Sequence, residues 1–161
     1  MKKTLILLIT LFFNSVALAE FDFRSYQPVS FSEILQNHRD DLLKASQKSD
    51  YTVSAATFKY VIPVKFIKEL RKVSGTNKTV IRAWQRALRV PDGFINLYEH
   101  EFKAEFNSEI YWIPVQEDLL LPMSSELHPG DTFELYVVVI GAKDNKLVML
   151  ATEFKSDRAP Q

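Results

Sequence analysis

The stretch from Gly130 to Phe154 constrains the fold more than any other part of the sequence. Leu135, Val137 and Val139 alternate with Tyr136, Val138 and Ile140, so a strand here is apolar on both faces and must be covered on both. A second apolar run, Lys146 to Phe154, follows the turn formers Ala142-Lys143-Asp144-Asn145. Two β-rich runs around such a connection predict a β-hairpin at the buried centre of a sheet. The remaining chain has to supply the layers that cover it.

The N-terminus carries a different signal. Met1-Lys2-Lys3 leads into the apolar run Leu5 to Phe13, and Ala17-Leu18-Ala19 supplies small residues at a cleavage site. The pattern predicts a secretory signal peptide over residues 1–19 and a single exported α+β domain over residues 20–161, in the periplasm or outside the cell. The apolar run is too short for a membrane span. The domain has to fold without cross-links, because the chain holds no cysteine. Thiol catalysis, Cys-ligated metals and disulfide exchange are excluded with it.

Helical and strand periods divide the rest. Ser30-Phe31-Ser32-Glu33 is a capping box, and Phe31, Ile34, Leu35, Leu42 and Leu43 share a face, predicting a helix over about Phe31–Ala45. His38 falls on its apolar side with no metal-binding partner one turn away, so it reads as a packed or half-exposed histidine. Tyr51 opens a strand pattern that passes Pro63, an edge or bend signal; beyond Val64, Phe66, Ile67, Leu70 and Val73 also fit a helix, and one long bent strand to about Val73 is expected. Asn77 is expected to cap a second helix, Lys78–Leu88, with Ile81, Trp84 and Leu88 inward and Lys78, Arg82, Arg86 and Arg89 outward. Phe94–Tyr98 fits either a last helical turn or the lead-in to a strand. Strands 101–106 and 110–115 flank a loop at Asn107-Ser108-Glu109, and a short helix over Glu117–Leu127, bent at Pro122, precedes the final hairpin.

The fold class expected is therefore α+β. An antiparallel five-stranded sheet, or a partly closed OB-like barrel, would carry an N-terminal helix and a basic helix inserted after strand one.

Charge is unevenly spread. Residues 65–91 hold eight basic residues and one acid, Glu69, while residues 92–134 hold ten acids and one base, Lys103. The two blocks either neutralise each other or give the fold two faces of opposite sign.

No catalytic residues, metal ligands or cofactor site are assigned. Ser125, His128 and Asp131 have the residue types of a hydrolytic triad, but they sit at a helix end and in a turn, and there is no Gly-x-Ser-x-Gly elbow. Four glycines leave no room for a phosphate-binding glycine loop. Glu99-His100-Glu101 reads as a solvated strand face whose two carboxylates point the same way.

Two groups remain as binding candidates. Tyr111 and Trp112 are adjacent on a strand, so one faces away from the core unless both sides are covered, one aromatic under the barrel and the other under a helix; in OB-type barrels the second and third strands carry ligands. Lys78, Arg82 and Arg86 could meet an anionic membrane surface or an acidic protein; an exported location argues against nucleic acid.

The function expected is a small, non-enzymatic, exported binding or interaction protein, such as an inhibitor, an immunity-like protein or an envelope assembly factor. Its partner would be another envelope or exported protein. The alternatives are a small envelope hydrolase using paired carboxylates among Glu99, Glu101, Glu105 and Glu109, or a protein held at anionic membrane surfaces by the basic helix.

Overall fold

A computed structural model describes residues 21–47 and 51–156 of the 161-residue chain. The expected signal peptide and most of the C-terminal tail lie outside the described residues. The architecture is mixed α+β: a six-stranded sheet and, among the described residues, four α-helices.

The strands are β1 (Gln27–Pro28), β2 (Tyr51–Lys72), β3 (His100–Phe106), β4 (Glu109–Val115), β5 (Thr132–Lys143) and β6 (Lys146–Lys155). Their hydrogen-bonded order is β1-β2-β3-β4-β6-β5, and β2 pairs with β5 as well. The sheet thus has one strand more than the five expected, and it is mixed. The two-residue β1 runs parallel to Tyr60 and Val61 of β2, and β4 meets β6 in parallel through Val115 and Ala151.

Length lets β2 serve two neighbours. Tyr51–Lys65 pairs with β5, and Lys65–Lys72 pairs with β3. Register shifts between Val53 and Phe58 and between Ile67 and Leu70 bend the strand, as unpaired extra residues do. Pro63 sits where its missing N–H costs little: pairing to β1 ends at Val61 and pairing to β3 begins at Lys65.

Both hairpins turn without glycine. Asn107-Ser108 and Asp144-Asn145 take positive φ at both central positions, the two-residue geometry that matches strand twist. The second turn is therefore shorter than the four-residue connection expected, and Lys143 and Lys146 join the ladder as its last pair.

The helices are α1 (Phe31–Asn37), α2 (Arg39–Gln47), α3 (Gly75–Leu88) and α4 (Glu117–Glu126). The capping box forms as expected: Glu33 N donates to Ser30 Oγ, and Ser30 N donates to the Glu33 carboxylate. That hydrogen bonding to Ser30 holds the Glu33 carboxyl below its usual range. The single first helix expected is two, because His38 leaves helical geometry. His38 is buried instead, hydrogen-bonded to the Tyr60 hydroxyl and Asp41 and packed edge-on against Phe58. Leu43, expected on the inner face, is exposed past this break. α3 starts three residues earlier than expected. Ser74 is its N-cap, accepting from Asn77 N, which frees the Asn77 side chain to turn inward. Phe94–Tyr98 resolves as a 3-10 turn, Asp92–Leu97, running into β3.

The two faces of β5 are covered by different layers, as its double apolar pattern requires. Leu135, Val137 and Val139 lie in the larger core with Phe31, Ile34, Ile62, Phe102, Ile113 and Met123. Tyr136, Val138 and Ile140 lie in a second core with Val80, Ile81 and Trp84 of α3. Phe31 of α1 stacks on Phe106 at 4.5 Å and meets Tyr111 edge-on, filling the larger core at the β3–β4 turn.

Gly141 marks where β2 crosses closest to the hairpin. A Cβ there would overlap the Thr52 carbonyl oxygen, a backbone atom that cannot swing aside. Gly141→Ala is expected to destabilise the protein by about 1–3 kcal/mol, read as a lower urea midpoint at unchanged slope.

Candidate functional site

The outer face of β3 and β4 carries the most organised polar cluster in the molecule. Alternation sends Phe102, Ala104 and Phe106 inward and leaves Glu101, Lys103 and Glu105 on the other side, with Trp112 directly across from Lys103. The expected solvated acidic strand is not what forms. Glu101 is fully buried, with 0 % of its surface exposed, because the start of α3 and the end of β2 close over it. Arg71 Nε donates to Glu101 Oε1 at 2.6 Å, and Asn77 Nδ2 donates to Glu101 Oε2 at 2.6 Å. Asn77 also donates to the Trp112 carbonyl at 3.1 Å. Both carboxylate oxygens are satisfied, as a buried charge requires.

The bulge in β2 aims this arrangement. Two extra residues, Lys68 and Glu69, separate Ile67 from Leu70 in the ladder. Glu69 accepts from Lys103 Nζ at 2.8 Å, and the strand beyond brings Arg71 opposite Glu101. The Arg71 guanidinium carbon lies 3.8 Å from the centroid of the half-buried Trp112 ring, a cation–π contact.

Tyr111 and Trp112 divide as strand alternation predicts. Tyr111 is buried against Phe31 and Phe106, while Trp112 is partly open. Burial, and then the charge of Glu109, pushes the Tyr111 phenol up to about 12. A cleft of about 290 Å³ runs beside them, lined by Arg71, Asn77, Trp112, Lys143, Asp144 and Lys146 among others. Lys146 Nζ stands 5.5 Å from the Tyr111 ring centroid, and Asp144 is hydrogen-bonded to Thr76. The cleft therefore pairs an aromatic wall with three cations and one anion.

Lys78, Arg82 and Arg86 are exposed on the outer face of α3, apart from that cluster. Lys78 and Arg82 line a separate cleft of about 350 Å³ with Lys72, Tyr98 and Glu99. Tyr98 is buried there, and its hydroxyl accepts from Gln116 Nε2 at 3.0 Å. Desolvation pushes its phenol up to about 12, against the smaller opposing effect of the Gln116 bond.

The four candidate hydrolase carboxylates do not converge. Glu99 lines the α3 cleft, Glu101 is buried under Arg71, Glu105 pairs with Lys65 at 3.3 Å, and Glu109 is exposed at the β3–β4 turn. His100 turns away to Glu117 at 2.6 Å. The Ser125 hydroxyl donates to the Pro122 carbonyl within its own helix, and His128 N donates to Asp131 across a turn. No group of three or more metal-ligating side chains gathers among the described residues. No described helix is long and apolar enough to cross a membrane.

Arg71, Asn77, Lys143 and Lys146 are site residues that sequence reasoning did not single out, and Glu101 entered it only as a strand-face acid and a hydrolase candidate. Asn77 looked like a cap and Glu101 like a surface acid; only a partner distant in sequence reveals either. Comparison with known proteins finds no matching family model, no matching curated protein and no matching solved structure.

Two outcomes follow from this geometry. Arg71→Met removes the partner of a buried carboxylate and should cost about 2 kcal/mol, less than a wholly buried pair because Arg71 is 46 % exposed. The same variant should change Trp112 fluorescence, by uncovering its ring. Tyr98 ionises later in the folded chain than in the unfolded one, so its contribution is intact below pH 10. It should be lost between pH 10 and 12, where the unfolded state releases its proton first. In Tyr98→Phe, the fall in thermal midpoint over that window should be shallower than in the wild type.

Proposed function

We propose that this is a small exported binding protein that uses the Trp112 face of β3 and β4 to hold another envelope or exported protein. The observation that carries the reading is the ring of Trp112, left half-open in a cleft and clamped by Arg71, whose own position is fixed by buried Glu101. A pre-set aromatic with an arginine beside it is the composition of a binding hot spot, since little side-chain entropy remains to be lost on docking. Lys143 and Lys146 on the opposite wall favour a partner with an acidic surface at the contact.

The finer architecture belongs to the same reading. We take the five long strands as an OB-type barrel, supported by the circuit of pairings β2–β3–β4–β6–β5 and back to β2. The helix α4, between the third and fourth of these strands, also fits that order. In such barrels the second and third strands and the turn between the last two form the ligand face. The Trp112 cleft draws on the corresponding β4 and the Asp144-Asn145 turn. Export rests on the signal-peptide pattern at residues 1–19 and accords with a cysteine-free chain that folds without disulfides.

The carboxylate hydrolase has less support, because Glu99, Glu101, Glu105 and Glu109 go to four different surroundings. Glycoside hydrolysis needs two carboxyl groups facing one substrate. The buried Glu101 has both oxygens occupied by Arg71 and Asn77.

The test is crosslinking in the native envelope with the full chain, followed by affinity measurement on the captured partner. Trp112→Ala and Lys146→Glu should each weaken binding about 30-fold or more, the loss typical of a hot-spot residue. Unchanged affinity in both variants, with folding intact, would refute this face as the binding surface.

A further inference from the structure

Among the described residues, two groups of basic side chains have different surroundings. On the sheet, Lys65, Arg71 and Lys103 each meet a carboxylate: Glu105, Glu101 and Glu69. In the cleft between α3 and the connection into β3, Lys72, Lys78 and Arg82 have no ion pair among the described residues. Lys78 and Arg82 are one turn apart on α3, and Lys72 approaches from the end of β2. Like charges at this helical spacing repel, so the fold gains nothing by itself from bringing the three together. Glu99 also lines the cleft without an ion pair to any of them. Beneath the charges, half-buried Val73 and Ile95 supply apolar surface over the buried Ile81 and Tyr98.

We propose that this cleft binds a phosphomonoester-type dianion through Lys72, Lys78 and Arg82. The three cations less Glu99 leave a net charge of two, the complement of a phosphomonoester near neutral pH. Arg82 is suited to grip two oxygens at once, with the lysines as point charges around the third. The volume of about 350 Å³ exceeds a bare phosphate, so the group carrying it rests on Val73 and Ile95. The dianion comes either from a lipid headgroup or from a soluble phosphoester. The cleft shares no lining residue with the Trp112 cleft, so this inference stands apart from the protein-binding reading. It sharpens the membrane reading of Lys78 and Arg82 from a charged surface to a defined pocket.

The experiment measures binding of the full mature chain to phosphatidylcholine vesicles doped with phosphatidic acid, against vesicles carrying equal charge as phosphatidylglycerol. A pocket for a phosphomonoester predicts about tenfold preference for phosphatidic acid, and a similar loss in Lys72→Gln and Arg82→Gln. Arg86→Gln on the same helix and Arg89→Gln just past its end, both outside the cleft lining, should lose less than about threefold. Glu99→Gln should tighten binding. Direct binding of glycerol 3-phosphate through Lys72 and Arg82 at least as tight as that of phosphatidic acid vesicles would assign a soluble source, and binding about tenfold or more weaker would assign the lipid headgroup. Equal binding to both vesicle types, with equal losses at all four cations, would overturn the pocket and leave only general attraction to anionic surfaces. No binding to either vesicle or to glycerol 3-phosphate would overturn both. Equal binding of a polyglutamate peptide through Lys72 and Arg82 would overturn the phosphate assignment in favour of an acidic protein. These side chains are exposed, so unchanged thermal midpoints should accompany every variant.

Discussion

The burial of β5 on both faces is the constraint from which the other arrangements follow. Leu135, Val137 and Val139 need one apolar layer and Tyr136, Val138 and Ile140 another. The first layer comes from the inner sides of the other strands with α1 and α4. The second comes from elements laid across the outside: amphipathic α3 supplies Val80, Ile81 and Trp84, and the N-terminal Phe21, Phe23 and Tyr26 pack on Tyr136. With α3 fixed there, its first turn lies over β3, where Asn77 reaches both the Glu101 carboxylate and the Trp112 carbonyl. A carboxylate under a helix is costly unless it is paired. Arg71 pairs it, and in doing so covers Trp112. The candidate binding face is thus a consequence of how the central strand is covered.

Strand β2 makes that consequence geometrically reachable. A straight strand of 22 residues could not pair with β5 at one end and β3 at the other while following a twisted sheet. Its two irregularities absorb the bend. The one after Ile67 also changes which side chains meet β3, handing Glu69 to Lys103 and Arg71 to Glu101. A bulge beside a polar site that re-aims a charged side chain is a common use of the feature.

What was legible in the sequence is what depends on near neighbours. The capping box at Ser30, the double apolar face of β5 and the amphipathic pattern of α3 all follow from spacing within one element; alternation put Tyr111 and Trp112 on opposite faces without saying whether either stays open. Two misreadings share a cause. Asn77 is a sound N-cap by residue type, but Ser74 takes that place and Asn77 serves β3 instead. Glu101 sits in an alternating polar pattern and ends up dry, because the elements that cover it lie about 25 residues or more away along the chain. The break of the first helix at His38 has the same character. A helical pattern does not disclose that the side chain will be held by Tyr60 and Asp41.

The charge blocks of the sequence take on meaning only when split by element. The basic stretch 65–91 spans the end of β2 and the whole of α3, and the two parts behave differently. Lys65 and Arg71 of β2 face acids of β3, so those two charges are neutralised within the sheet, while Lys68 and Lys72 of the same strand have no ion pair among the described residues. α3 is bound through its apolar stripe instead, which directs Lys78, Arg82 and Arg86 outward, away from the acids of β3 and α4. A chain of near-zero formal charge therefore keeps a cationic face without carrying a net excess. Long-range attraction to anions then depends on where α3 points more than on the protein's overall charge. The same packing that shields the apolar side of β5 sets that direction.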